Sequence, residues 1–383
     1  MIPYGRQSIS EEDIAAVEAV LRSEWITQGP AIGAFERGLA AYCGLQGGGG
    51  VAVANATAAL HIAMLALGVA PGDVVWTSPN TFIASANCAL YCGAEVDFVD
   101  TDPDTYNLCA RKLAEKLEQA SAAGRLPKVV IPVHFAGQSC DMRAIAALAQ
   151  QYGFRVVEDA SHAVGAEYDG GKVGDCRFSD IAIFSFHPVK ILTTAEGGML
   201  MARDPALYRR LQLLRSHGMT REAGELEKHD EGGWYYEQID LGYNYRITDL
   251  QAALGLSQLG RLDLFLERRR ALAARYDTLL AELPVIRPRQ AAYGVSAFHL
   301  YPIQVDPARR RAVFDSLRSQ GIGVNVHYIP VYTQPYYRKL GFRAGLCPNA
   351  EQYYAGAISL PMFYGMTEAE QDEVVAAVRK ALA

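Results

Sequence analysis

Short apolar runs recur at Val51–Ala54, Val74–Thr77, Val96–Val99, Val129–Val133, Arg155–Glu158 and Ile181–Phe186, with helix-patterned stretches such as Ala56–Leu67, Ala84–Tyr91 and Met142–Tyr152 between several of them. This alternation constrains the chain more than any other feature. Strands that are apolar along their whole length need cover on both faces, and helices between consecutive strands supply it. The pattern predicts an α/β fold with a mainly parallel sheet. Gly198–Ala202 follows the last of these runs after only a short turn, which predicts an antiparallel member. The GGGG at 47–50 is not followed by Gly-Lys-Ser/Thr, so it reads as a loop tip before a strand rather than a phosphate loop.

From about Asp249 the texture changes. A long helical stretch runs to about Leu283 and stops at Pro284; FHLYPIQV, a helix over about Ala308–Gln320, a strand-like run ending in NVHYIP and a C-terminal helix capped by Thr367 follow. Ser10, with Asp13 three residues on, opens a helix over Glu11–Arg22. The expected organisation is an N-terminal helix and loop in 1–30, a large α/β domain in 31–250, and a linking helix with a smaller α+β domain in 251–383.

Bulk properties narrow the function. A net charge of −6 over 383 residues argues against a nucleic-acid partner, while a local site for an anionic ligand remains open. No apolar run reaches the roughly 20 residues that span a bilayer, and the start MIPYGRQSISEED has no basic-then-apolar leader. Seven cysteines, at 43, 88, 92, 109, 140, 176 and 347, form no CxxC pair. They are read as reduced structural thiols of a cytoplasmic protein, with no metal site.

Ligands of open α/β sheets gather at the carboxyl ends of the strands, and three such ends carry chemistry. Asn55-Ala56-Thr57-Ala58 opens directly into a helix whose free N–H groups suit a phosphate, or simply takes an ordinary cap. Asp159 could ligate a metal, act as acid or base, pair with a ligand cation, or cap a helix. Lys190, between two apolar runs, is either a snorkelling side chain or an amine whose pKa burial depresses, able to condense with an aldehyde as a Schiff base. Taken together, a phosphate cradle, a strand-end carboxylate and a poised lysine match pyridoxal 5'-phosphate: its phosphate anchored, its ring nitrogen kept protonated, its aldehyde held. Phe82, after another strand end, is placed to stack on the ring.

SFHPVK followed by TTAEGG, together with EDASHA, RSHGM, LGYNYRITDLQAALGLSQL and VHYIPVY, resembles the DegT/StrS family of sugar aminotransferases along essentially the whole chain. The resemblance implies the aspartate aminotransferase-like fold, fold type I of the pyridoxal phosphate enzymes, and a homodimer with sites at the subunit interface. It implies that Lys190 holds the cofactor, Asp159 partners its ring nitrogen, and His162 lies near its phenolic oxygen. It further implies that Thr57, Ala58 and Ser185 contact the phosphate and that Asn244 reaches the neighbouring subunit's phosphate. Phe82 stands where some relatives carry tryptophan. Dehydratase branches of the family carry histidine at the lysine position, so the lysine of this chain implies transamination.

Within the family, SEWITQGP, TTAEGGM, RSHGM, FHLYPI and VHYIPVY are similar to members that aminate C4 of a UDP-linked 2-acetamido-4-keto-6-deoxy sugar with glutamate, on the route to pseudaminic acid. That likeness implies sugar-nucleotide contacts from Tyr4, Glu24, Trp25, Ile26, Thr27, Ala56, Ser185, Asn244, Asn325, Val326, His327 and Tyr328. His187 is read as a packing or hydrogen-bonding residue, and Arg246 and Arg338 are the candidates for the donor's carboxylate. The rival readings are an aminotransferase for another nucleotide 4-keto- or 3-keto-sugar, a lyase or decarboxylase on the same fold, and a non-catalytic regulatory protein.

Overall fold

The computed structural model describes residues 1–383. Its centre is a seven-stranded sheet: β1 Gly49–Val53, β2 Val74–Thr77, β3 Glu95–Phe98, β4 Val129–Ile131, β5 Arg155–Asp159, β6 Ile181–Ser185 and β7 Gly198–Ala202. The spatial order is β1-β7-β6-β5-β4-β2-β3. Pairings among β3, β2, β4, β5 and β6 are all parallel, while β7 runs antiparallel to both β6 and β1. This is the mainly parallel sheet that the alternation predicts, with the expected reversal at β7.

Both faces are covered. On one, Val51, Val75, Ile131, Val157, Ile183 and Leu200 pack against helices Ala56–Ala66, Ala84–Tyr91 and Pro205–Arg215. On the other, Ala52, Phe184, Met199 and Met201 meet helix Pro30–Cys43, and Trp76, Val130 and Val156 meet helices Ala110–Ala122 and Met142–Tyr152. The alternation along each strand therefore splits one sheet between two cores, as buried parallel sheets require. A separate core forms around the hairpin-like pair Tyr301–Gln304 and Ala357–Leu360, with helices Arg310–Ser319 and Glu368–Leu382 and residues from Leu262–Leu279. Ile2 belongs to this last core, so the extreme N-terminus packs with the C-terminal elements.

The helix starts at Ser10 and Thr367 carry full capping boxes, with Asp13 and Glu370 reaching back. Two expectations need correction. The stretch from Asp249 is not one helix but two, Asp249–Leu259 and Leu262–Leu279, because the chain breaks at Gly260-Arg261 before resuming. Glycine there weakens helix continuity, and the apolar pattern on either side hides the break. The run ending in NVHYIP is extended but forms no strand: its neighbourhood makes only the isolated bridges Ile2↔Ile322 and Asn325↔Ser359. Its polar side chains turn instead toward the site described next. No helix is long and apolar enough to cross a membrane.

Candidate active site

Register brings the strand ends together. Asp159, the last residue of β5, pairs with Ile183 of β6, and Ser185, the last of β6, pairs with Gly198, which in turn pairs with Val53 of β1. Gly198 lies so close to the next helix that a Cβ there would come within 2.7 Å of the Ala56 nitrogen. The Ser185 hydroxyl position and the first turn of helix Ala56–Ala66 are thus neighbours, in a cradle that any side chain at 198 would fill. Asn55 caps this helix, its Oδ1 accepting from the Ala58 N–H at 2.8 Å. That bond engages the Ala58 amide, and the amides of Ala56 and Thr57 are the donors left free at this end.

Asp159 is buried, and its two oxygens are partly used. Oδ2 accepts from Ser85 Oγ at 2.6 Å and Oδ1 from the Ser161 N–H at 3.1 Å. A carboxylate offers about four lone-pair directions, so it keeps capacity for a ring N–H. Ser85 is itself held by Thr81 at 2.7 Å.

Lys190 follows a turn in which its N–H donates to the His187 carbonyl at 2.8 Å. Burial pulls its ammonium down to about 8, against the opposing attraction of Asp159. Three imidazoles lie within range of its charge. Burial holds His162 well below the usual imidazole value, aided by the charges of Lys190 and His327. Burial and then Lys190 push His327 to about 3, and His299 is depressed in the same sense by burial, His162 and Lys190. Burial favours the neutral form of all three. Their rings touch the tyrosines: His162 Nε2 lies 3.1 Å from Tyr328 Oη, and His327 packs 5.6 Å, centroid to centroid, from Tyr4. Nδ1 of His162 and of His299 are buried without partners in the chain.

His327 Nδ1 meets Ser359 Oγ at 2.8 Å, and Tyr328's amide donates to Asn80 Oδ1 at 3.1 Å, which fixes this segment over the site. Phe82 is 58% exposed and, with Tyr328, Val326 and Tyr336, lines an apolar cleft of about 680 Å³. Trp25 and Ile26 are exposed, as are Glu24 and Thr27 beside them. Asn244 is exposed on the loop bridged to Ser216, and Asn325 is exposed beside the buried His327. Arg246 lines a second, polar groove with Gln28, Gly29, Glu36 and Arg215, whereas Arg338 is exposed on helix Pro335–Lys339.

His187 is corrected: its ring is exposed and makes no hydrogen bond in the chain, because the Pro188 turn points it outward, and only its carbonyl is used. Sequence reasoning missed Ser85, His299 and Asn80. Each acts across a long stretch of chain, Ser85 meeting Asp159 from 74 residues away, and no local pattern marks them.

The groups present fit pyridoxal phosphate: a cradle of two free amides beside a serine, a carboxylate with spare lone pairs, an uncrowded aromatic face at Phe82, and a lysine with a lowered pKa. The comparisons agree. Residues 7–379 match the model of the DegT/DnrJ/EryC1/StrS aminotransferase family. The spore coat polysaccharide biosynthesis protein SpsC of Bacillus subtilis (strain 168) is 41% identical over 385 aligned positions, 99% of this chain and 96% of that one. Among solved structures, the sugar aminotransferase Spr1654 of Streptococcus pneumoniae in its PMP form superposes with a TM-score of 0.90 at 30% identity, covering 100% of this chain and 99% of that one. PseC of Helicobacter pylori, an aminotransferase of pseudaminic acid biosynthesis, gives 0.90 at 29% identity with the same coverage.

Proposed function

This chain belongs to the DegT/DnrJ/EryC1/StrS family, whose members here are pyridoxal phosphate-dependent sugar aminotransferases, and from that premise we propose its substrate and the work of each residue. The enzyme transfers an amino group from glutamate to C4 of a UDP-linked 2-acetamido-4-keto-6-deoxy sugar. The product is UDP-4-amino-4,6-dideoxy-N-acetyl-β-L-altrosamine, a precursor of pseudaminic acid.

The observation that carries this reading is the cluster of polar rings Tyr4, His327 and Tyr328, packed on one another, with His327 within range of the Lys190 charge. Uncharged donors and acceptors suit hydroxyl and acetamido groups of a sugar, and likeness to PseC supports the particular sugar. When bound, pyridoxal phosphate supplies an electron sink for the carbanion formed at the donor's α-carbon. Lys190 holds the cofactor at rest. With pyridoxal phosphate bound, its freed amine would take the proton from the α-carbon of glutamate and hand it on, and would run the same proton transfer in reverse for the sugar. A pKa near 8 suits both directions, since neutral and charged forms are both accessible near neutrality. Asp159 keeps the ring nitrogen protonated, with Ser85 and the Ser161 amide fixing the carboxylate. His162, held by Tyr328 at 3.1 Å, would serve the cofactor's phenolic oxygen, and Phe82 would stack on its ring. Ala56, Thr57 and Ser185 take the phosphate, and Asn244 reaches the partner subunit's site in a homodimer. Glu24 through Thr27 and Asn325 through Tyr328 line the path of the nucleotide sugar.

A second reading has its own support: SpsC, at 41% identity, is named for spore coat polysaccharide synthesis, which favours a different nucleotide keto-sugar. One experiment separates the two. The holoenzyme is converted with glutamate to its amino form, then offered a panel of nucleotide 4-keto- and 3-keto-sugars. Return of the original visible band with the 2-acetamido-L-sugar supports the proposal. Return only with another sugar installs the second reading, and no conversion by any amino donor overturns transamination itself.

A further inference from the structure

The segment Ser23–Gly29 has exposed side chains yet an unusual anchor. Gly29, the residue before helix Pro30–Cys43, has no side chain with which to cap it, and the job falls to Asp249 from the far end of the large domain's sequence. The Asp249 carboxylate is fully buried. Its Oδ2 accepts from the Gly29 N–H at 2.7 Å, and its Oδ1 from Ala31 at 2.9 Å and Ile32 at 3.4 Å. A negative charge at a helix N-terminus is favoured by the free amides and the helix dipole. The same residue's own N–H donates to the Ile26 carbonyl at 3.1 Å, and Thr248 bridges Thr27. The segment is thus gripped twice by one residue, at Ile26 and at Gly29.

The helix that begins at Asp249 also touches the lysine's turn. Gln251 Nε2 donates to the Glu196 carbonyl at 2.7 Å, and that carbonyl also accepts from Thr194 Oγ1 at 2.8 Å. One helical turn therefore links the loop carrying Trp25 and Thr27 to the loop that follows Lys190. Gly29 is packed against this joint so closely that a Cβ would lie 2.5 Å from Trp25 Cβ and 3.0 Å from Asp249 Oδ1.

We infer that Asp249 is a positioning residue for the nucleotide-sugar substrate: it sets the height of the Glu24–Thr27 loop over the site without touching cofactor or substrate. This rests on the reading above that the loop contacts the sugar nucleotide. The inference predicts a split. Asp249→Asn replaces one acceptor with a donor aimed at an N–H, and loses bonds of the charged kind worth about tenfold or more in affinity when they hold a binding element. KM for the nucleotide sugar should rise about tenfold, while the glutamate half-reaction, followed by loss of the visible band, changes little. Gly29→Ala, which displaces the loop from the other side and leaves the buried carboxylate in place, should reproduce the split if Asp249→Asn does not fold. Thr27→Ala serves as the direct test of the loop. If Thr27→Ala and Trp25→Ala leave sugar KM unchanged, the loop does not bind the sugar and the underlying reading falls. If those variants raise KM while Asp249→Asn and Gly29→Ala do not, or if the Asp249 and Gly29 variants slow both half-reactions equally, the positioning role is overturned.

Discussion

The strand ends around Lys190 and the loop Glu24–Gly29 both face the proposed substrate path, yet they are held in opposite ways. Asp159 and Ser185 sit in a continuous ladder, each paired to a neighbouring strand, and both are buried. Trp25 and Ile26 are more than half exposed, and their loop is fixed chiefly by one carboxylate and one bridge. The difference is instructive. Groups that move protons need positions good to a fraction of an ångström, and a sheet edge supplies them. Groups that choose a substrate can sit on a tethered loop, whose sequence changes at little cost to the fold.

Substitutions should break this contrast in a graded way. The largest effect belongs to Lys190→Ala, which should lower turnover about a thousandfold or more, as expected for loss of both covalent holder and proton carrier. Borohydride reduction should trap the cofactor on Lys190 in the native chain and on no residue of the variant, and an adduct retained by the variant would place the holder elsewhere. Asp159→Asn should slow the glutamate half-reaction about a hundredfold, the size of a lost electrostatic partner at a reacting centre, measured in a stopped-flow spectrophotometer. Gly198→Ala should weaken cofactor binding roughly tenfold, since overpacking of about 1–3 kcal/mol falls on the Ala56 amide. Titration of the apoenzyme with the cofactor reads this directly. On the loop side, Trp25→Ala should raise sugar KM only about threefold to tenfold, while unfolding free energy stays within about 0.5 kcal/mol.

The smallest expected effect is a matter of pH. Lys190 is reactive as the free amine, so reaction of the apoenzyme with pyridoxal phosphate should speed up with rising pH and level off above about 8, whereas a lysine at its ordinary 10.5 would still be accelerating. The sign of the linked stability follows. Between pH 8 and 10.5 the unfolded chain binds the extra proton, so the apo fold gains stability as pH rises through that window. A midpoint near 10 would show that burial does not depress this amine.

The two regions also differ in how readily they can be read from the sequence. Lys190, Asp159 and Ala56 each lie just beyond an apolar run, and such a run announces its own strand end. The antiparallel β7 was legible from the shortness of the turn before it. Ser85, His299 and Asp249 carry no such mark, because what matters about them is a partner 74 to 220 residues away or a ring packed from another element. The break at Gly260 was hidden by an apolar pattern that continues on both sides. His187 was misjudged because a motif gives position in sequence but not the direction of a side chain after a proline turn.

The Asp249 grip has a consequence for the order of assembly. The β6–β7 pair around Lys190 joins residues close in the chain, such as Ser185 and Gly198, whereas Gly29 and Asp249 are separated by 220 positions. Contacts of long separation carry a larger loop-closure cost and form late. The lysine's hairpin can therefore form as soon as the sheet's central strands exist, and the loop proposed to select the sugar is fastened only once Asp249 is in place. On a ribosome, this loop would be fastened after the lysine's hairpin has formed.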